Sequence, residues 1–294
     1  MRILVTGTQG QVARALLDRA GRYPDLSVLA VGRPQLDLET TATVLPALER
    51  VHPDLIINAA AYTAVDKAEQ EPLRAHAINR DGAAAVADAA WSLGVPLIHL
   101  STDYVFPGTK QGAYVESDKT DPINVYGNSK LSGEVAVRSA NAEALIFRTS
   151  WIYSPYGSNF VKTMLRLAAE RPQLRVVDDQ VGNPTSALDL ADALLQIAPR
   201  IRDQGVLGET FHVAGSGTTS WCGVARQVFE ASKLRGGPQA EVVPITTSEY
   251  PTPARRPANS RLDTTAFYDR FGFSLGDWHR GVEVTVQELL MRDP

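Results

Sequence analysis

Through the first half of the chain, short runs of leucine and β-branched residues alternate with longer stretches whose apolar positions recur at helical spacing. That rhythm predicts βαβ units around a parallel sheet. Strands are expected at residues 2–6, 27–31, 54–58, 95–101 and 144–148. Runs such as Leu55-Ile56-Ile57, apolar at every position, suit a sheet covered on both faces. Helices are expected at 11–20, 40–50, 66–93 and 122–139. The third carries an alanine run at 83–90, which either lets a neighbouring element approach closely or simply favours helix. After Ser150 the rhythm loosens. Helices at 159–171, 186–198, 220–232 and near 281–292 and a strand at 210–214 are separated by polar or proline-rich segments, notably 250–261.

Composition sets the outer limits. A chain of 294 residues with 44% hydrophobic content is large enough for a full α/β core with a lobe attached, and it fits neither a disordered nor a fibrous class. The net charge of −4 argues against nucleic acid as the main partner. The single cysteine, Cys222, cannot form an intrachain disulfide and points to a reducing compartment. Residues 1–7 read as a first strand rather than an export signal. No window approaches the ~18 uninterrupted apolar residues of a membrane span. A cytoplasmic protein without membrane contact is therefore expected. The five histidines are scattered, so no catalytic metal is expected.

Thr6-Gly7-Thr8-Gln9-Gly10-Gln11-Val12-Ala13 directly follows the first strand and opens the first helix. Gly7 suits a tight strand-to-helix turn, Gly10 clears the approach of a diphosphate to the helix N–H groups, and Ala13 lets helix and strand pack closely. Placed on the first strand of a βαβ series, the pattern favours dinucleotide binding over plain turn geometry. The second strand ends in Gly32-Arg33, where many NAD-binding folds carry an acid for the ribose 2′-hydroxyl. A guanidinium there tilts the preference toward the 2′-phosphate of NADP, with a solvated surface arginine as the equal alternative. The fold class is α/β: a Rossmann-like parallel sheet with helices on both faces over residues 1–170, plus a smaller C-terminal substrate lobe over 171–294. Segments at about 186–214 are expected to return to the core.

Tyr126 and Lys130 stand four residues apart, hence on one face of a helix. A phenol of pKa ~10 needs a nearby cation to act at neutral pH, and Lys130 can supply that charge or hold a cofactor ribose. Tyr-x-x-x-Lys alone is a weak signal. It gains weight because the strand at 95–101 ends in Ser101-Thr102-Asp103-Tyr104 at the carboxyl edge, where open parallel sheets bind ligands. Either Ser101 or Thr102 can orient a substrate carbonyl oxygen toward Tyr126. Asp103 reads as an anchor or, more readily, as a helix cap.

These residues resemble the extended short-chain dehydrogenase/reductase family, in which Thr102, Tyr126 and Lys130 would form the catalytic set. More narrowly the chain is similar to the dTDP-4-dehydrorhamnose reductases. The matching stretches are 7–12, 57–66 (Ile-Asn-Ala-Ala-Ala-Tyr-Thr-Ala-Val-Asp), 101–106, 126–130 with Gly133-Glu134, 148–153, 179–185 and 256–260 (Arg-Pro-Ala-Asn-Ser). They run in order over nearly the whole chain. The resemblance implies reduction of the 4-keto group of dTDP-4-dehydro-β-L-rhamnose with NADPH or NADH as hydride donor, Tyr126 protonating the forming alkoxide, Thr102 hydrogen-bonding the oxygen, and Lys130 lowering the phenol pKa. It further implies a cofactor site of Gly7, Gly10, Gln11, Val12, Arg33, Asp37, Leu38, Ala59, Ala60, Ala61, Tyr126 and Lys130, with Asp37 and Leu38 by the adenine and Ala59 to Ala61 by the nicotinamide ribose. Asp103, Tyr104, Trp151 and Tyr153 would line the sugar pocket, and Arg256 and Asn259 would face the dTDP moiety.

Some relatives pair through carboxylate-held Mg²⁺. Here residues 14–17 (Arg-Ala-Leu-Leu) contain no acid, which speaks against that bridge and leaves a homodimer open. Two rival readings remain at this level: a regulatory subunit of the kind that accompanies methionine adenosyltransferase, and a sister nucleotide-sugar epimerase or dehydratase. A single acid after Thr102 disfavours the dehydratase.

Overall fold

The structure, a computed structural model, describes residues 1–205 and 208–292. The five expected strands form as β1 (Arg2–Thr6), β2 (Ser27–Val31), β3 (Leu55–Asn58), β4 (Leu97–Thr102) and β5 (Leu145–Thr149), joined by Thr210–His212 from the second half of the chain. All six pair in parallel, in the spatial order Thr210–His212, β5, β4, β3, β1, β2. The order reverses beside β1, because the chain moves out to β2 and then returns to β3 on the other side. Such a reversal opens a crevice at the carboxyl ends of the two flanking strands.

Period-two alternation sends Ile3, Val5, Leu55, Ile57 and Ile98 to one face of the sheet and Leu4, Ile56 and Leu97 to the other. The first face is covered by the helices Gln11–Arg19 and Ala187–Gln204 together with Phe267 and Phe271 of Thr265–Phe271. Val44–Val51 and Ala83–Leu93 cover the second, with Val137 of Val125–Ala140. Both faces being dry accounts for the unbroken apolar runs. A separate core lies off the sheet, where Phe160–Glu170, Trp221–Lys233 and Trp278–Arg292 pack around Gln173–Val177. That strand pairs in parallel with Glu241–Ile245, so the lobe has a small sheet of its own. The helix Phe160–Glu170 thus packs with the lobe, and Phe267 to Leu275 pack with the main core.

The single helix expected at 66–93 is divided into Val65–Ala68, Pro72–His76, a π-helical turn Ala77–Gly82, and Ala83–Leu93. Pro72 has no N–H to continue a preceding helix and sits at the start of a new one. The π turn carries Asn79, whose side chain accepts the Tyr62 N–H at 2.8 Å and donates to Tyr62 O and Ser129 Oγ. Val125–Ala140 begins later than expected because Asn124 caps it, Oδ1 accepting the Gly127 N–H at 2.7 Å. The last helix starts at Trp278, ahead of the expected 281. Among the described residues, no helix is long and apolar enough to cross a membrane.

Candidate active site

The glycine turn lies at the crevice. Gly7 has φ +88°, donates its N–H to Val31 O at 2.7 Å, and abuts Ala60, which a Cβ on Gly7 would meet at 3.4 Å. Only a glycine takes that backbone angle without strain while leaving the two loops in contact. Gly10 precedes the helix Gln11–Arg19, whose first turn has no side-chain cap, and a Cβ on Gly10 would meet nothing within 4 Å. The first turn thus carries uncapped N–H groups with room beside Gly10, the donor set and the space a diphosphate requires. Beneath this turn, Thr6 Oγ1 donates to Asn58 Oδ1 at 2.6 Å and accepts the Ala60 N–H at 3.0 Å, while the Asn58 amide donates to His99 Nδ1. One polar line thus ties Ala60 to β1, β3 and β4. Burial and the nearby Lys130 hold His99 well below the usual histidine range, so it sits there neutral.

The other expected cofactor residues divide. Arg33 follows β2, is exposed, and pairs with no other group among the described residues, which leaves its guanidinium free at the crevice edge. Leu38 turns its side chain into the second core face, pressed against Gly82. Asp37 Oδ1 caps its own turn by accepting the Glu39 N–H. Gln11 reaches across to the lobe connection: its Nε2 donates to Ile152 O, and its Oε1 accepts from Ser154 Oγ and Asn159 Nδ2. Val12 packs against the main core.

At the end of β4 the two candidate hydroxyls separate. Ser101 Oγ donates to Glu134 Oε1, and the Arg148 guanidinium clasps the same carboxylate through Nε at 2.9 Å and Nη2 at 2.7 Å. Thr102 instead lies beside the Tyr126 phenol, close enough to favour its ionised form, so Thr102 is the hydroxyl on the reaction side. Gly127 makes this approach possible, since a Cβ there would lie 2.2 Å from Tyr104 O. The Tyr104 ring meets Tyr126 edge-on at 5.7 Å. Burial pushes the Tyr126 phenol up to about 12; Thr102 opposes the rise and the Asp103 charge adds to it.

Lys130 is buried, and its Nζ donates to Leu100 O at 2.7 Å. Burial carries the ammonium down to about 8, against a pull from Glu134 one helical turn on. The ammonium is thereby held against the backbone at the end of β4.

On the sugar side, Asp103 and Tyr104 adjoin Tyr126. Trp151, at φ +47°, stacks on Trp221 at 3.7 Å and donates Nε1–H to Ser260 Oγ. Tyr153 is only 2% exposed and donates its hydroxyl proton to Trp278 O inside the lobe core, which turns it away from the crevice. Arg256 pairs with the Asp66 carboxylate. Asn259 donates to Lys110 O and Gly112 O and accepts from Arg261 Nε, so its amide is occupied in joining loops. Sequence reasoning assigned no role to Asp66, Glu134, Arg148 or Ser260, although all four stand in the stretches that carry the resemblance. Trp221 gave no signal beyond its helix. Among the described residues, no group of three or more His, Cys, Asp or Glu side chains gathers to hold a metal ion.

Residues 1–291 match the family model described as "RmlD substrate binding domain". The chain is 51% identical to the dTDP-4-dehydrorhamnose reductase of Sinorhizobium fredii over 293 residues, covering 99% of this chain and 98% of the relative. It is 43% identical to that of Escherichia coli, covering 98% of each. Its structure resembles that of the dTDP-4-dehydrorhamnose reductase from Bacillus anthracis in complex with NADP, with a TM-score of 0.89, 34% identity, and coverage of 98% of this chain and 99% of that one. With the glycine turn, Thr102, Tyr126 and Lys130 all held at one sheet edge, the chain belongs to the dTDP-4-dehydrorhamnose reductase family.

Proposed function

We propose that this chain is a cytoplasmic enzyme that reduces the 4-keto group of dTDP-4-dehydro-β-L-rhamnose to give dTDP-L-rhamnose. The observation that carries the reading is the meeting of Thr102 and Tyr126 at the carboxyl end of β4, beside the open glycine turn of β1. The relatives named for this reaction, and the NADP held by a similar structure, support the choice of substrate and cofactor.

NADPH supplies the hydride that attacks the sugar C4. As the keto oxygen gains negative charge, Thr102 donates a hydrogen bond to it and Tyr126 passes it the phenolic proton. A phenol pushed up to about 12 is protonated at neutral pH and therefore stocked as an acid. Proton delivery of this kind contributes about 10²–10⁴-fold. An ammonium has three donors, so Lys130 keeps its bond to Leu100 O and still has two for the nicotinamide ribose. Arg33 takes the 2′-phosphate, which favours NADPH over NADH. The core built on the six-stranded sheet holds the cofactor, and the lobe presents the sugar nucleotide, with Trp151 at the sugar and Arg256 at the dTDP end.

The test is a coupled reaction from dTDP-glucose with the upstream dehydratase and epimerase and each reduced cofactor in turn. dTDP-L-rhamnose should accumulate, and Tyr126→Phe should lose most turnover while binding NADPH nearly as well. A wild-type chain that binds cofactor without consuming it would instead be a regulatory binding module. If Tyr126→Phe turned over as fast as wild type, the acid would have to be another group.

A further inference from the structure

Asp103 is a buried carboxyl to which the chemistry above gives no task. It is 2% exposed. Its Oδ1 meets Thr102 Oγ1 at 3.0 Å, and its Oδ2 has no partner in hydrogen-bond geometry. The groups that face it are Thr102 and Tyr104 from its own turn, Tyr126 from the helix Val125–Ala140, and Ser260 from the lobe loop. Neither cation of the site is spent on it: Lys130 is bound to Leu100 O and Arg256 to Asp66. A buried carboxylate that no cation faces is costly, and protonation removes the cost. Burial accordingly raises Asp103 to about 7, overcoming Ser260, Thr102 and the Asp103 and Tyr104 backbone N–H groups, which all favour the charged form.

The proton count at Thr102 turns this into a question of catalysis. Its hydroxyl has one proton and two lone pairs. The Tyr104 N–H, donating at 3.2 Å, takes one lone pair. If Asp103 is ionised it can only accept, so the threonine proton goes to Oδ1, and Thr102 offers the reacting oxygen nothing but a lone pair. That arrangement repels a forming alkoxide. If Asp103 carries its proton on Oδ1, the carboxylic O–H fills the second lone pair of Thr102. The threonine proton then has one direction left, toward the Tyr126 phenol and the keto oxygen.

We infer that Asp103 is a positioning residue that works in its protonated form, donating to Thr102 Oγ1 and so aiming the threonine hydroxyl at the oxygen being reduced. The inference rests on the reductase reading. No proton leaves Asp103 during turnover; Tyr126 alone supplies the one the product gains.

The experiment compares pH profiles of kcat/KM from about pH 6 to about pH 9 for wild type, Asp103→Asn and Asp103→Leu. Wild-type activity should fall about tenfold per pH unit above about 7. The asparagine amide donates to Thr102 at every pH, so Asp103→Asn should lose this alkaline limb. Asp103→Leu, which cannot donate, should lose about 100-fold in kcat, and Asp103→Asn should regain at least about tenfold of that loss. Infrared difference spectra of the NADPH-bound protein should show a protonated carboxyl band at about pH 6 that bleaches as pH rises and is missing in Asp103→Asn. An alkaline limb unchanged in Asp103→Asn, an asparagine variant no faster than the leucine variant while both bind NADPH, or no protonated band at low pH would each overturn the inference. The reductase reading fails separately, if wild type reduces no keto sugar at any pH, and the infrared readout does not depend on turnover.

Discussion

Asp66 and Arg256, 190 residues apart in the chain, meet in a two-pronged ion pair with Nη1 3.1 Å from Oδ1 and Nη2 2.8 Å from Oδ2. Asp66 lies in the short helix Val65–Ala68, and Arg256 in the loop that runs from the lobe back over the crevice. Arg256 Nη1 also donates to Thr252 Oγ1 and Ala254 O, so one guanidinium shapes the whole loop. The hydrogen bond from Arg256 holds the Asp66 carboxyl below its ordinary range. A partly exposed pair of this kind contributes about 0–1 kcal/mol to stability, so its weight lies in placement. Arg256→Ala is expected to raise KM for the sugar nucleotide about tenfold with a smaller change in kcat. Asp66→Asn separates holding from direct contact. If the pair holds the loop for substrate, Asp66→Asn raises KM as well; if Asp66 merely competes with the diphosphate for Arg256, KM falls. Steady-state kinetics of the two variants decide between them.

Gly127 sets the distance between the two chemical segments. The helix Val125–Ala140 crosses the turn Asp103–Val105 so closely that a methyl group at 127 would overlap Tyr104 O. Gly127→Ala must therefore push Tyr126 away from Thr102. Overpacking costs about 1–3 kcal/mol, seen as a lower urea midpoint, and the displaced phenol should lower kcat at least about 100-fold with little change in NADPH affinity. A variant that unfolded more readily yet kept full kcat would show that the close approach serves packing alone.

The sheet was legible in the sequence because both its faces are dry, so β1, β3 and β4 read as apolar runs bounded by turn residues. The glycine turn was legible for the same local reason: Gly7 and Gly10 act through their own backbone. What could not be read is everything decided by partners far along the chain. Ser101 and Thr102 are chemically equivalent until Glu134 and Arg148 claim the first. Arg256 reads as a phosphate ligand until Asp66 is seen beside it. Tyr153 sits two residues from Trp151 and reads alike, yet Trp278 O draws it into the lobe core. The helix Thr265–Phe271 escaped notice because only Phe267 and Phe271 of it are buried, and two aromatics at helical spacing are too few to establish a period.

Lys130 should reveal a conflict between stability and function. Its ammonium is fully buried with Leu100 O as its hydrogen-bond partner, and burial depresses it to about 8. A depressed lysine contributes stability above its unfolded value near 10.5 that is lost as pH falls through about 8, so at neutral pH the folded chain bears the cost of the buried charge. Lys130→Met keeps the buried stem and removes that charge. It is expected to leave the urea midpoint at about pH 7 unchanged or higher, while turnover drops about 10²–10⁴-fold with weaker NADPH binding. A large loss of stability in Lys130→Met would mean that the Leu100 bond outweighs the desolvation of the ammonium.

Acid should act through His212. The ring is fully buried at the end of Thr210–His212, where Nδ1–H is shared between Tyr114 O at 3.0 Å and Asp263 O at 3.2 Å and Nε2 has no partner. Burial, reinforced by the Arg148 charge, lowers it to about 4. A histidine depressed below its unfolded value of 6.5 contributes stability that is present above that value and lost as pH falls toward about 4. By about pH 5 the loss amounts to roughly 2 kcal/mol. Asp103 works in the opposite sense, because a raised carboxyl gives most stability below its unfolded value and loses it as pH rises through about 7. The difference between wild type and His212→Asn isolates the histidine, since asparagine keeps a donor for Tyr114 O and cannot take a proton. Urea unfolding at about pH 7 and about pH 5 should show the variant losing roughly 2 kcal/mol less than wild type between the two conditions. Parallel losses would place the acid sensitivity in the carboxylates that surround the ring.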